Sequence, residues 1–301
     1  MYAAKVMSAF PSSSNFKPIN PELNDVQSFD VVAPRASNSV VKTTGVPSVS
    51  QIIGCTDPME NLYQWQLQMI KKHGIMGFRQ HMTRRMQVGT CFHSVVELLL
   101  KELKQNGEIA STPEKVLSMK PNCDQFKAEL KGYFNGLLPF LKTLKSNDNI
   151  ILEGRVDHPY LYFRGRFDAI VEIDGDLTLV DWKTINKESA KSQATEAQTP
   201  QDLFSNPLQL AAYVSAVNCS SLYPELPTIK KAAIVLAYED RDDVEVVKMD
   251  LESIQLHFDH FLTRINRFWW GVENKMEKGG VVDFLYNPVA KTINKMKTKS
   301  G

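Results

Sequence analysis

Asp168, Asp181 and Lys183 are the residues of this chain whose types and spacing point most directly to chemistry. The two acids flank Asp174-Gly175, a dipeptide that joins antiparallel strands as a two-residue turn. With that turn Ile173 faces Asp176, and counting outward along both strands sets Asp168 opposite Asp181. Opposed side chains on one sheet face have Cβ atoms about 4.5–5.5 Å apart, and like charges so placed repel. A divalent cation would relieve the repulsion; Mg2+ is commonly held by one or two carboxylates and keeps waters for exchange. Alternation returns Lys183 to the face of Asp181 and turns Trp182 away. An amine there can orient or help deprotonate a metal-bound water, or neutralise charge on a phosphate under attack. The same register puts Arg166 opposite Lys183, adding positive charge where a phosphate would lie.

A hairpin carrying Asp, Asp, Lys and Arg is more often a solvated face than a site. Here the charged positions are interleaved with Ile170, Leu177 and Leu179, while Phe167, Ala169, Val180 and Trp182 fall on the opposite face as core candidates. A partly buried cleft is therefore expected. Four further sets of residues could serve it. His93 stands at the edge of a helical apolar stripe with Glu97 one turn on, so an imidazole ligand aimed by a carboxylate is weighed against a structural histidine. Glu153 lies on the strand before the hairpin, with Asp157 as an equal alternative. Gln209 and Tyr213 are four apart and share a helix face, where they would position substrate or belong to plain surface. Trp65 with Lys71, Lys72, Arg84 and Arg85 combines stacking and phosphate neutralisation, the needs of single-strand binding, against a core tryptophan among solvated cations.

The elements that must position these residues read as α/β. Residues 150–157, 160–173 and 177–183 are strand-like. Before them, a helix opening at Asp57-Pro58 with Glu60 in a capping box weakens at Gly74 and Gly77. A second helix spans 89–103, a short one starts at Thr112-Pro113, and a longer one covers 124–144. After the hairpin, 184–205 is polar and long for a connection unless functional. A helix capped by Asn206 runs to 217, a buried strand covers 232–237, another 244–249, and a final helix 251–270. The expected fold is a mixed sheet flanked by helices.

The chain has 301 residues and is 43% hydrophobic and 23% charged, enough for a sizeable core. No apolar run approaches the roughly 18 residues of a membrane span, so a soluble protein is expected. The net charge of +1 places any nucleic-acid contact in local basic clusters. Cys55, Cys91, Cys123 and Cys219 are scattered without CxxC spacing, so neither disulfides nor a zinc or iron–sulfur site is expected, and a reducing compartment is the default. The first 21 residues hold Lys5 and Lys17, no acid and no arginine; a transit peptide and a disordered leader fit equally.

Taken together, GRFDAI at 165–170 and VDWKT at 180–184 resemble the PD-(D/E)xK nucleases, the RecB-like branch in particular. VGTCFH at 88–93 resembles its G-x-x-x-H motif, and NPLQLAAY at 206–213 its Q-x-x-x-Y motif. From PSVSQI at 47–52 through Tyr213, more than half of the chain, the pattern is similar to the mitochondrial genome maintenance exonuclease family. That resemblance implies a restriction-endonuclease-like core: a leader over 1–45, one nuclease domain over 46–285 (helical part 46–148, catalytic core 149–272) and a basic tail over 286–301. It implies Mg2+ or Mn2+ held by His93, Asp168, Asp181 and the Trp182 carbonyl, with Glu153 and Glu97 as further candidates. Lys183 assists in-line attack, and Gln209, Tyr213, Trp65, Arg84, Arg85 and Arg166 contact substrate. The implied activity is a single-stranded DNA exonuclease that trims flaps or displaced strands in the mitochondrial matrix, with no membrane or obligate protein partner. The alternatives are a RecB-like repair nuclease outside mitochondria, an unrelated phosphohydrolase, and a non-catalytic nucleic-acid-binding protein of the same fold.

Overall fold

The strand-like stretch folds as three antiparallel strands, β1 (Ile151–His158), β2 (Phe163–Ile173) and β3 (Asp176–Ile185). Asp174 and Gly175 both have positive φ, 53° and 86°, as a type I′ turn requires. β4 (Lys231–Tyr238) adds parallel to β3, and β5 (Val244–Met249) antiparallel to β4, giving a mixed sheet in the order β1-β2-β3-β4-β5. This computed structural model describes residues 47–56, 60–187 and 198–274. The leader before Pro47, the Asp57-Pro58 cap, residues 188–197 of the polar connection and the basic tail lie outside the described residues.

Helices cover both faces. One layer holds α1 (Val49–Thr56), α5 (Asn206–Cys219) and α6 (Leu251–Asn274); the other holds α2 (Glu60–Asn106), α3 (Pro113–Ser118) and α4 (Lys127–Thr143). Strand alternation feeds them separately. Ile170, Leu179, Ile234 and Leu236 pack toward α5 and α6, whereas Ala169, Val180, Trp182 and Val235 pack toward α2 and α4. No helix among the described residues is long and apolar enough to cross a membrane.

Several expectations are corrected. α1 falls where no element was expected, yet its buried Val49, Ile52, Ile53 and Thr56 follow helical spacing. The two helices expected on either side of Gly74 and Gly77 form one run, interrupted only at Gly74 (φ 70°). Gly77 and Gly89 stay helical, because a glycine costs a helix only about 1 kcal/mol and the stripe from Val88 to Leu103 is buried. Ser205, not Asn206, occupies the cap position of α5. Cys91 and Cys123 form a disulfide with Cα atoms 5.6 Å apart, against the reading of four unpaired cysteines. They are 32 residues apart in sequence, and the packing of α2 on the 3-10 turn Pro121–Phe126 brings them together.

Candidate active site

Three acids come to one place from neighbouring strands. The β2–β3 ladder keeps the expected register from Ile173↔Asp176 to Ala169↔Val180. The next step would pair Asp168 with Asp181; instead Asp168 Oδ2 accepts the Trp182 N–H at 2.9 Å, a side chain taking the place of a backbone rung. On the other side, Glu153 and Asp168 stand between the paired rungs Leu152↔Ala169 and Gly154↔Phe167. Glu153 has φ 50°, a left-handed conformation rare for a side chain of its size.

The in-out pattern slips at these same residues. Leu152 packs toward α2 and α4, but Val156, an even number of residues on, packs toward α5 and α6. Likewise Phe167 leaves the layer of Ala169 for the opposite one, correcting the expectation that they share a face. The choice between Glu153 and Asp157 follows: Glu153 is turned to the centre, and Asp157 is exposed.

His93 on α2 completes the group. Its Nδ1 lies 3.4 Å from Asp168 Oδ2, and one donor atom each from His93, Glu153 and Asp168 all lie within 4.8 Å of one another. One imidazole nitrogen and two carboxylate oxygens, half-buried, form a donor set suited to a divalent cation. Asp181 is outside this trio; its Oδ2 contacts Lys183 Nζ at 2.6 Å. Charge and burial compete throughout. Burial alone would lower the His93 pKa, but the hydrogen bond and charge of Asp168 raise it. Burial would raise Asp168, yet His93, the Trp182 N–H and Lys183 hold it below the usual carboxylate range. For Asp181 burial prevails and the pKa rises despite Lys183. Glu153 is also raised, by burial and by the charge of Asp168. Burial pushes Lys183 down, but Asp181 more than offsets it, so the amine stays charged.

The profile of the PD-(D/E)XK nuclease superfamily matches residues 60–281, most of the chain. The chain belongs to that superfamily. The protein is thus a hydrolytic nuclease. It is 26% identical over 264 residues to human mitochondrial genome maintenance exonuclease 1, covering 84% of this chain and 67% of that one. The proteins of the same name from Xenopus tropicalis and Mus musculus are 28% and 27% identical, covering 74% and 77% of this chain. The matches take in 57% and 63% of those two relatives' lengths. A solved structure titled "Crystal structure of SSO0001" aligns over 61% of this chain and 87% of its own at 14% identity, with a TM-score of 0.23.

Around the nuclease centre the other expected residues divide. Gln209 Nε2 donates to the Tyr213 hydroxyl at 3.1 Å, and the Ser50 side chain bonds the same hydroxyl. Burial, partly offset by the Gln209 hydrogen bond, raises the Tyr213 pKa, with the charges of Asp181 and Asp168 adding to it. Gly165 makes room for this ring: a Cβ there would sit 2.3 Å from Tyr213 Cε1. Neither Ser50 nor Gly165 was picked out from the sequence, although both lie inside quoted motifs. Arg166 pairs with Glu153 at 2.7 Å and with Arg155 in the ladder rather than standing against Lys183. Glu97 binds Lys101 at 2.7 Å instead of His93, so Asp168 takes the orienting role expected of it. Trp182 buries its ring against Phe140 and offers the site its backbone. Trp65 packs edge-on to Phe78. Arg84 is held by Glu129 and lies over the Phe126 ring, while Arg85 lines an adjacent cleft.

Proposed function

We propose that the protein is a Mg2+- or Mn2+-dependent exonuclease of single-stranded DNA, acting in the mitochondrial matrix on flaps or displaced strands during replication and repair. The convergence of His93, Glu153 and Asp168 on one point beside the Asp181–Lys183 pair carries this reading. The name shared by the three relatives supports the exonuclease activity and the compartment. Residues 46–285 act as one catalytic unit in this reading.

His93, Glu153 and Asp168 would hold the cation, with Asp181 and the Trp182 carbonyl as further candidate ligands. Bound there, a divalent cation polarises a phosphate oxygen and makes a water nucleophilic near neutral pH. The Trp182 N–H fixes Asp168 in the orientation that a ligand needs. Lys183, kept protonated by Asp181, acts as a charge: it neutralises the phosphate as negative charge builds in the in-line transition state. Tyr213, protonated and steadied by Gln209 and Ser50, donates to a phosphate oxygen. Trp65, Arg84, Arg85 and Arg166 contact the strand beyond the scissile bond.

The deciding experiment is a time course on end-labelled single strands, linear and circular, with Mg2+, Mn2+ or EDTA. Stepwise loss of linear strands with intact circles supports the proposal. Rapid cutting of circles, or digestion in EDTA, defeats it. Import of a reporter carrying residues 1–50 tests the compartment.

A further inference from the structure

Arg166 Nε lies 2.7 Å from Glu153 Oε2, so one carboxylate of the ligand trio has a positive partner of its own. The two side chains differ in freedom. Glu153 is 19% exposed and Arg166 is 56% exposed. The acid is also aimed by its own backbone: the left-handed turn at φ 50° sets it beside His93 and Asp168. Its direction therefore does not depend on the ion pair. The guanidinium sits on an exposed, flexible stem, and a half-exposed pair of this kind is weak enough for a competitor to break. The ladder adds a push. Arg155 stands directly opposite Arg166, and like charges so placed repel.

Charge decides what the departure of Arg166 would do. Glu153, Asp168 and Asp181 are set against Arg166 and Lys183. With His93 neutral, as a metal-ligating imidazole is, one net negative charge remains. A divalent cation turns that balance to one net positive charge. Taking Arg166 away restores neutrality, and so does adding one phosphodiester. Lys183 is placed otherwise, because its partner is Asp181, outside the trio.

We propose that Arg166 competes with the cation for Glu153 and is drawn off by the bound strand, so that strand and metal each tighten the other through this one side chain. The inference rests on the nuclease reading above, which gives Arg166 to the strand and Glu153 to the metal. What it adds is that the two contacts of Arg166 exclude one another. With no strand, the guanidinium stays on Glu153 and the site holds its cation loosely. A strand takes the guanidinium and leaves Glu153 to the cation. Reciprocity then requires the cation to tighten the strand by the same factor.

Calorimetric titration of Mn2+ into full-length wild type, Arg166→Gln, Arg166→Met and Arg155→Gln tests this. Each protein is measured alone and with a short single strand of phosphorothioate linkages, which keep the charge and resist cleavage. Alone, both uncharged variants at Arg166 should bind Mn2+ roughly 10-fold tighter than wild type, within the usual range of coupling between sites. The strand should tighten Mn2+ in wild type about 10-fold more than in these variants, so that the proteins converge. Arg155→Gln removes a charge that is not on Glu153 and should show no such gain. Unchanged or weaker Mn2+ binding by the Arg166 variants overturns the competition and makes Arg166 a support for Glu153. An equal gain in Arg155→Gln also overturns it, since general charge would then suffice. An equal strand effect in wild type and the Arg166 variants overturns the coupling. A wild type that binds no Mn2+ overturns the metal reading above together with this one, whereas the other adverse results leave that reading standing.

Discussion

Glu153 and Asp168 stand between the same two rungs of the β1–β2 ladder, and Glu153 holds its place by adopting a φ of 50°. That conformation costs an ordinary L-residue roughly 1–2 kcal/mol and costs glycine almost nothing. Glu153→Gly and Glu153→Ala both remove the carboxylate and the partner of Arg166, so comparing them isolates the backbone. Urea unfolding should find the Gly variant more stable than the Ala variant by about 1 kcal/mol, reversing the usual order inside a strand. Both should lose cleavage. Equal stabilities would show that the chain is not strained there.

Asp168 and Lys183 should fail in different ways. Asp168→Asn keeps an acceptor for the Trp182 N–H but loses the charge facing His93. Mn2+ binding, followed by calorimetry, should weaken by at least the 10- to 100-fold seen when groups supporting a metal are altered. Lys183→Gln should retain Mn2+ and lose turnover by roughly 10²–10³-fold, the scale of removing one group that stabilises a transition state. Full turnover by Lys183→Gln would remove it from the mechanism.

What the sequence disclosed, and what it hid, follows from the range of the forces involved. The β2–β3 register was readable because a two-residue turn and period-2 alternation are local rules, and Asp174-Gly175 states the turn outright. The helix carrying His93 was readable from apolar spacing, and the one carrying Gln209 from the Asn206-Pro207 start. The same alternation misassigned Phe167 and left Glu153 and Asp157 undecided, because a left-handed residue inside a strand breaks the period without a compositional mark. The Cys91–Cys123 pair is made by helix packing across 32 residues, which spacing rules do not reach. Glu97 looked like the partner of His93 because it is one helical turn away, yet Asp168 from another element meets the imidazole.

Gly165 should prove a positioning residue. In Gly165→Ala the new methyl would meet the Tyr213 ring at 2.3 Å, so the ring must move away from Gln209 and Ser50. Overpacking of this kind costs about 1–3 kcal/mol of stability. A shift near 1 Å of a substrate-holding group can cost up to ~10²-fold in rate. A double-mutant cycle with Tyr213→Phe checks the route: the effects on kcat/KM should be strongly less than additive. Additive losses would mean that Gly165 acts elsewhere.

Acid lability should trace in part to His158, away from the catalytic centre. Its Nδ1 accepts the backbone N–H groups of Tyr160 and Leu161 at 3.3 and 3.2 Å, so the proton sits on Nε2, which donates to Ser215 Oγ at 3.2 Å. The ring is fully buried against Phe163, and burial pushes its pKa down to about 3. In the unfolded chain the same imidazole titrates near 6.5. The folded pKa is thus the lower one: above pH 6.5 both states are neutral and stability is complete. As pH falls, only the unfolded state gains the proton, and stability drops by up to about 1.4 kcal/mol per pH unit until the folded ring titrates near 3. His158→Gln can keep an acceptor and a donor but does not titrate. Between pH 7.5 and 5.5 the wild type should lose about 1.4 kcal/mol more than this variant in urea unfolding. Parallel pH profiles for the two proteins would mean that the imidazole titrates alike in the folded and unfolded chain, and burial does not depress it.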